Sequence, residues 1–215
     1  MVSTLFLVPT PFELNLLSRS FLEELKHRQN VIECCGFGPI VSPIRTTQLI
    51  SQYLPTSVFL LGIAGAYDPN LKIGSALEFD EATCFGVGTG SGDGFLSSSE
   101  MGWSQWQGEP EITDSIKLDS LAASPETRSR SAKLLSCCAA SADRMDVQLR
   151  LRKHPDAVAE DMEGFSVAAA CRFAGTPLRI VRGISNLAGD RDKTNWRIQE
   201  AMKAVEDYVR EVIET

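Results

Sequence analysis

Histidine is nearly absent from this chain, with two among 215 residues. No C-x-x-C pair or cysteine–histidine spacing stands beside them, so neither a structural zinc site nor any other metal or cofactor is expected. Long apolar runs are also missing. None approaches the ~20 residues of a membrane-spanning helix, and the apolar residues 4–9 have no basic segment before them and no long apolar segment after them. The expectation is a cytoplasmic protein without a membrane partner. Positive charge is in deficit, with 21 Lys and Arg against 28 Asp and Glu. Neutralising nucleic-acid phosphates or an anionic lipid surface takes clustered cations, so neither partner is expected. Repeats, low-complexity tracts and linkers are missing too, and 1–215 reads as a single domain. The six cysteines form two adjacent pairs, Cys34–Cys35 and Cys137–Cys138, plus Cys84 and Cys171. They read as reduced, mostly buried thiols.

What is present is an alternation of strand and helix signals. Leu5–Val8 reads as a buried strand. Thr10, Pro11 and Glu13 then stand at N-cap, N1 and N3 of a capping box, and Leu14, Leu17, Phe21 and Leu25 carry a helix over 11–28. A strand over 31–35 runs into Gly36-Phe37-Gly38, and a helix follows over 46–54. Val58–Leu61 is a continuous apolar run, as in a strand buried on both faces. It ends in Gly62, Ala64, Gly65 and Ala66, small residues that allow close backbone approach or simply a tight turn. Further β character spans 75–87. Glycines at 86, 88, 90, 92 and 94 have the wrong spacing for a dinucleotide fingerprint and read as a mobile loop. The polar segment 97–106 carries Trp103 and Trp106, suited to covering a ligand, to a dimer contact or to local packing. A strand over 132–139, helical spacing around Met145–Leu151, and an amphipathic helix over 194–213 complete the chain. This pattern predicts an α/β fold of three layers, αβα, around a twisted, mostly parallel mixed sheet.

Between the last two of these helices lies 159–186, A-E-D-M-E-G-F-S-V-A-A-A-C-R-F-A-G-T-P-L-R-I-V-R-G-I-S-N. It reads as a helix with Glu160, Asp161 and Glu163 at its entrance, a Gly-Thr-Pro stop, and a buried strand ending in Ser185 and Asn186. Polar clusters at the same end of adjacent elements mark where open α/β sheets place their sites. Each residue also has a plain structural use. Glu13 closes a capping box, Glu163 complements a helix N-terminus, Met162 fills core, and Asn186 turns the chain after a strand.

The M-E helix followed by R-x-I-S-N resembles the signature of the nucleoside phosphorylase and nucleosidase superfamily. G-I-A-G-A-Y-D-P-N-L-K-I-G-S resembles that family's strand end and L-x-I-G-D run. Within the superfamily, R-G-I-S-N-L-A-G-D-R-D and the W-x-I-x-x-A helix look most like the branch that hydrolyses futalosine, releasing hypoxanthine in an alternative menaquinone pathway. The resemblance implies a small-molecule nucleoside substrate and a homodimer or larger homo-oligomer. It gives Glu13 the attacking water and Glu163 the ribose hydroxyls. Met162 would pack on the sugar, and Asp161, Ala64, Gly65 and Ser141 would complete the substrate site. Asn186 would donate to the leaving purine, and an asparagine there suits a 6-oxopurine where the family's adenine-type members carry aspartate. Where nucleosidases stack an aromatic ring on the purine, this chain has A-A-S-A-D at 139–143, so stacking is expected from Phe95, Trp103 or a partner subunit. Two alternatives accompany this reading. One is a phosphorylase, with Arg45 as the residue able to hold phosphate; the other is a nucleoside-binding module without catalysis.

Overall fold

The computed structural model of the chain describes residues 2–119 and 132–214. Strand β1 (Thr4–Val8) leads into the short helix α1 (Pro11–Leu14) and then α2 (Arg19–His27). The single helix expected over 11–28 is therefore two. Ser18 starts the second one, accepting from the Phe21 amide, while its own amide and hydroxyl donate to Glu206. Strand β2 (Val31–Cys34) and helix α3 (Gly38–Tyr53) follow. This helix begins eight residues earlier than its expected start at 46, because Pro39 sits in the first turn, where a missing N–H costs nothing. Strand β3 (Ser57–Ala66) does not stop at its glycines but runs through them.

Strands β4 (Ala76–Phe79) and β5 (Glu81–Phe85) supply the β character expected over 75–87. The glycine-rich segment forms a small hairpin of β6 (Gly88–Thr89) and β7 (Leu96–Ser97), ahead of β8 (Ser115–Lys117). Then come β9 (Lys133–Cys137), α4 (Arg144–Lys153), β10 (Ala157–Asp161), α5 (Gly164–Ala174), β11 (Leu178–Leu187) and α6 (Ile198–Glu214). Glu160 and Asp161 thus end a strand rather than open a helix. The last helix begins at Ile198 instead of 194, after a short 3-10 turn over Lys193–Asn195.

Among the described residues, nine strands form one mixed sheet in the order β2-β1-β3-β10-β9-β5-β8, with β11 beside β3 and β4 beside β11. Most pairings are parallel; β10 with β3, β11 with β4 and β5 with β8 are antiparallel. Side chains alternate across the sheet, as the pleat requires. Leu5, Leu7, Val58 and Leu60 face one side, where Leu49 of α3 and Phe165 and Val167 of α5 cover them. Phe6, Val8, Phe59 and Leu61 face the other, against Phe21 of α2 and Met202, Val205 and Val209 of α6. Each such side chain taken out of water contributes roughly 1.5–3 kcal/mol. The expected three-layer αβα arrangement is what the chain adopts. The cysteines are free, with Cys35, Cys137 and Cys171 buried and Cys138 exposed.

Candidate active site

A cleft of about 860 Å³ opens at the ends of β1, β3, β10 and β11. Its walls include all of Glu13, Ala64, Gly65, Ser141, Asp161, Met162, Glu163 and Asn186, residues spread over most of the chain.

The floor is organised around Arg182, a fully buried arginine in the middle of β11. Its Nε and Nη2 donate to Asp161 Oδ2, its Nη1 donates to the Leu61 carbonyl at 2.9 Å, and Nη2 also lies 3.3 Å from Glu163 Oε2. A buried guanidinium is costly unless paired, and the carboxylates of Asp161, Glu163 and Glu13 supply its field. Gly62 makes this meeting possible. A Cβ there would stand 2.2 Å from Arg182 Nη1 and 2.8 Å from Glu13 Oε1, and its φ of +148° suits glycine.

The carboxylates differ in how they are used. Asp161 is fully engaged, with Oδ1 accepting from the Ser136 hydroxyl and Oδ2 from Arg182 and the Gly164 amide. Together with Ser136, whose hydroxyl accepts from the Phe165 amide, it caps α5. Glu163 occupies the N-cap position of α5 but makes no side-chain cap bond there. It turns away and accepts from the Gly38 amide at 2.8 Å, at the start of α3. Burial pushes its carboxyl up, to about 7, against the opposing pull of Arg182. Glu13 likewise reaches beyond its own helix. Thr10 accepts from the Glu13 amide and donates to Oε2 at 2.6 Å, while Oε1 accepts from the Ile63 amide on β3 at 3.1 Å. The carboxylate therefore bridges the N-cap residue and the neighbouring strand while keeping acceptor capacity towards the cleft.

Glu160 forms a separate centre. It accepts from the Tyr67 hydroxyl, from the amide and hydroxyl of Ser141, and from Arg150. Ser141 is thereby held completely buried at the cleft wall, its hydroxyl donated to Glu160. Asn186 follows a register shift in the β11–β3 pairing. Its Oδ1 accepts from Ser185 and its Nδ2 donates to the Leu187 carbonyl, which leaves the second amide hydrogen uncommitted. Gly65, its register partner on β3, lets Ala188 approach to within 3.3 Å of where a Cβ would stand.

Aromatic coverage differs from expectation. Phe95 is buried against Phe85, Trp103 is exposed, and neither lines the cleft. Phe12, Phe37 and Trp196 do line it. Arg45 stays outside the cleft, near Glu33 and Gln48. Arg182, Arg191 and Trp196 stand inside the motifs that carry the resemblance but had no role assigned there, and Lys193 and Arg197 had none either. For Arg182 a signal existed, since an arginine inside an otherwise apolar buried strand requires a carboxylate partner. Among the described residues no group of three or more His, Cys, Asp or Glu is arranged to hold a metal ion, and no helix is long and apolar enough to cross a membrane.

Comparison with known proteins places this geometry in context. The phosphorylase superfamily profile matches residues 10–214. A futalosine hydrolase from Streptomyces coelicolor is 33% identical over 148 residues, which is 69% of this chain and 61% of that protein. The chain thus spans less than two thirds of that relative's length. A 5′-methylthioadenosine/S-adenosylhomocysteine nucleosidase from Marinomonas sp. is 24% identical, over 88% of this chain and 78% of the relative. Two Helicobacter pylori structures share the fold. The nucleosidase of the same name, solved with butyl-thio-DADMe-Immucillin-A, superposes with a TM-score of 0.76 at 16% identity, covering 100% of this chain and 98% of that one. A futalosine hydrolase superposes with a TM-score of 0.74 at 16% identity, covering 99% and 97%.

Proposed function

The chain belongs to the phosphorylase superfamily, and on that premise we propose that it hydrolyses the N-glycosidic bond of a 6-oxopurine nucleoside. Futalosine is the proposed substrate, with hypoxanthine as the released base in an alternative menaquinone pathway. The observation that carries the proposal is the pairing of Glu13 and Glu163, two buried carboxylates with acceptor capacity left, around one buried guanidinium.

Cleavage proceeds through an oxocarbenium-like ribose and a departing purine that takes the bonding electrons. Water donates a proton to Glu13 as its oxygen bonds to C1′, the C1′–N9 bond breaks with its electrons going to the purine, and the purine anion takes a proton from solvent to leave as the neutral base while Glu13 returns its own to solvent. Glu163 accepts from the ribose hydroxyls, with Met162 packing on the sugar. Three carboxylates against one guanidinium leave the floor net negative when ionised, which favours positive charge on the ring. The purine is met by the free amide hydrogen of Asn186, which suits a 6-oxo acceptor. Asp161 positions Arg182 and α5, and Ser141, Ala64 and Gly65 shape the wall. Arg45 lies outside the cleft, which favours water over phosphate as nucleophile. A homo-oligomer is part of the proposal. Ile40 and Ile44 of α3 form an exposed apolar stripe next to Phe37 of the cleft, at helical i, i+4 spacing.

The test is to incubate purified protein with futalosine, inosine and methylthioadenosine, each with and without phosphate. Hypoxanthine release from futalosine without phosphate is expected. Strict phosphate dependence would establish the phosphorylase reading, and methylthioadenosine as the preferred substrate would overturn the 6-oxopurine assignment.

A further inference from the structure

Glu13 is buried, yet among the described residues no cation forms an ion pair with its carboxylate. Arg182 spends its donors on Asp161, Glu163 and the Leu61 carbonyl. Two neutral groups hold Glu13 instead. Oε1 accepts from the Ile63 amide and Oε2 from the Thr10 hydroxyl. One bond comes from strand β3 and the other from the residue before α1, so the carboxylate is anchored at both oxygens. Thr10 does more here than start a helix. In an ordinary capping box the glutamate side chain returns to the backbone amide of the N-cap residue. In this chain the Thr10 hydroxyl accepts from the Glu13 amide at 3.2 Å and donates to the Glu13 carboxylate at 2.6 Å. A hydroxyl carries one hydrogen, and this contact commits it to Oε2. Thr10 and Glu13 stand three residues apart around Pro11 at the first helical position, and both line the cleft.

Resting on the hydrolase reading above, we propose that Thr10 is a positioning residue for the attack on the ribose: its hydroxyl orients the Glu13 carboxylate and keeps it in the anionic form that takes the water's proton. The reason lies in the kind of donor. A carboxylate removed from water is driven to hold a proton, and a base already protonated accepts no other. A direct ion pair would secure the anion so firmly that proton uptake would be opposed. A neutral hydroxyl stabilises the anion less and leaves it basic. The other groups facing Glu13 do not replace this bond. Arg182 on β11 favours the anion through space, and Glu163 at the entrance of α5 opposes it. Cys34 and Cys35 at the end of β2 also face it, and burial raises both thiols, so they stay neutral. Thr10 is therefore the one side chain that donates a hydrogen bond to Glu13 among the described residues.

The test follows base release from futalosine without phosphate, across pH, in the wild type, Thr10→Val, Thr10→Ser, Glu13→Gln and Thr10→Val/Glu13→Gln. In Thr10→Val the acid limb of kcat moves to higher pH, and kcat near neutrality falls about tenfold while KM changes less than about twofold. Thr10→Ser keeps the hydroxyl and retains the wild-type limb. Added to Glu13→Gln, Thr10→Val changes kcat less than about twofold, because the group it acts through is gone. Thr10→Gly gives the same reading should valine disturb the turn, since glycine at an N-cap costs a helix little. An acid limb unmoved in both the valine and glycine variants overturns the inference. So does an equal loss of kcat with and without the Glu13 carboxylate, which would return Thr10 to helix capping alone. Either result, with base release by the wild type, leaves the hydrolase reading standing. No base release from futalosine or inosine by the wild type sinks both.

Discussion

Glu160 and Glu163 stand three residues apart on one cleft wall and are equally buried, at 4% and 5% exposure. Their surroundings differ completely. Glu160 is saturated by a tyrosine, a serine amide, a serine hydroxyl and an arginine of its own. Glu163 has one backbone amide and a longer contact to an arginine that Asp161 already holds. Burial alone therefore does not mark a working carboxylate. On the proposed function, unspent acceptor capacity does, because only an oxygen with a lone pair to give can bind a substrate hydroxyl. Glu13 falls on the Glu163 side of this divide, bridging two elements and still facing the cleft.

The sharpest way to break the comparison is Glu13→Gln, which keeps the side chain's shape and removes its capacity to take a proton. Turnover should fall ~10²–10⁴-fold with substrate binding retained, the range for general-base catalysis; near-normal kcat would leave Glu13 only its helix-capping role. Arg182→Met should cost about 3–5 kcal/mol in urea unfolding, because it strands buried carboxylates without their cation. A loss under 1 kcal/mol would mean that the floor is not organised by this residue. Glu160→Gln should cost about 1–3 kcal/mol by leaving Arg150 underpaired, with kcat changing less than about tenfold. A larger loss of turnover at intact stability would move Glu160 to the working side. Asn186→Asp should shift the inosine-to-adenosine kcat/KM ratio about tenfold towards adenosine, and an unchanged ratio would remove the purine role from Asn186.

The smallest effect is on pH dependence. The Glu163 carboxyl is held above its ordinary range by burial. Below that range both folded and unfolded chains keep the proton. Between it and about 7 the unfolded chain releases its proton first, so folding stability falls as pH rises through this window. In Glu163→Gln the thermal midpoint should lose that part of its decline. A midpoint whose pH profile is unchanged by the substitution would contradict the assignment.

The sequence carried much of the fold, since capping residues, the buried runs of β1 and β3 and the stripe of α6 are local signals. It misplaced Glu160 and Asp161, because A-V-A-E-D has little β-branched character and becomes a strand through pairing with β9 and with Gly65 and Ala66 of β3. The candidate site residues were legible as types at element ends. Their division into saturated and unsaturated carboxylates was not, because it depends on Arg150 and Arg182, whose partners lie 10 to 21 residues away in the chain. Trp196 stood in the W-x-I-x-x-A run, but a helix start placed four residues early put it inside the helix rather than on the segment before it that lines the cleft.

The central claim is that water, and not phosphate, attacks the ribose. Base release by the wild-type protein in ¹⁸O-labelled water, without phosphate, tests it most directly. The account predicts one heavy oxygen on C1 of the sugar product and free hypoxanthine. A sugar released without the label, or no release until phosphate is added, would contradict it.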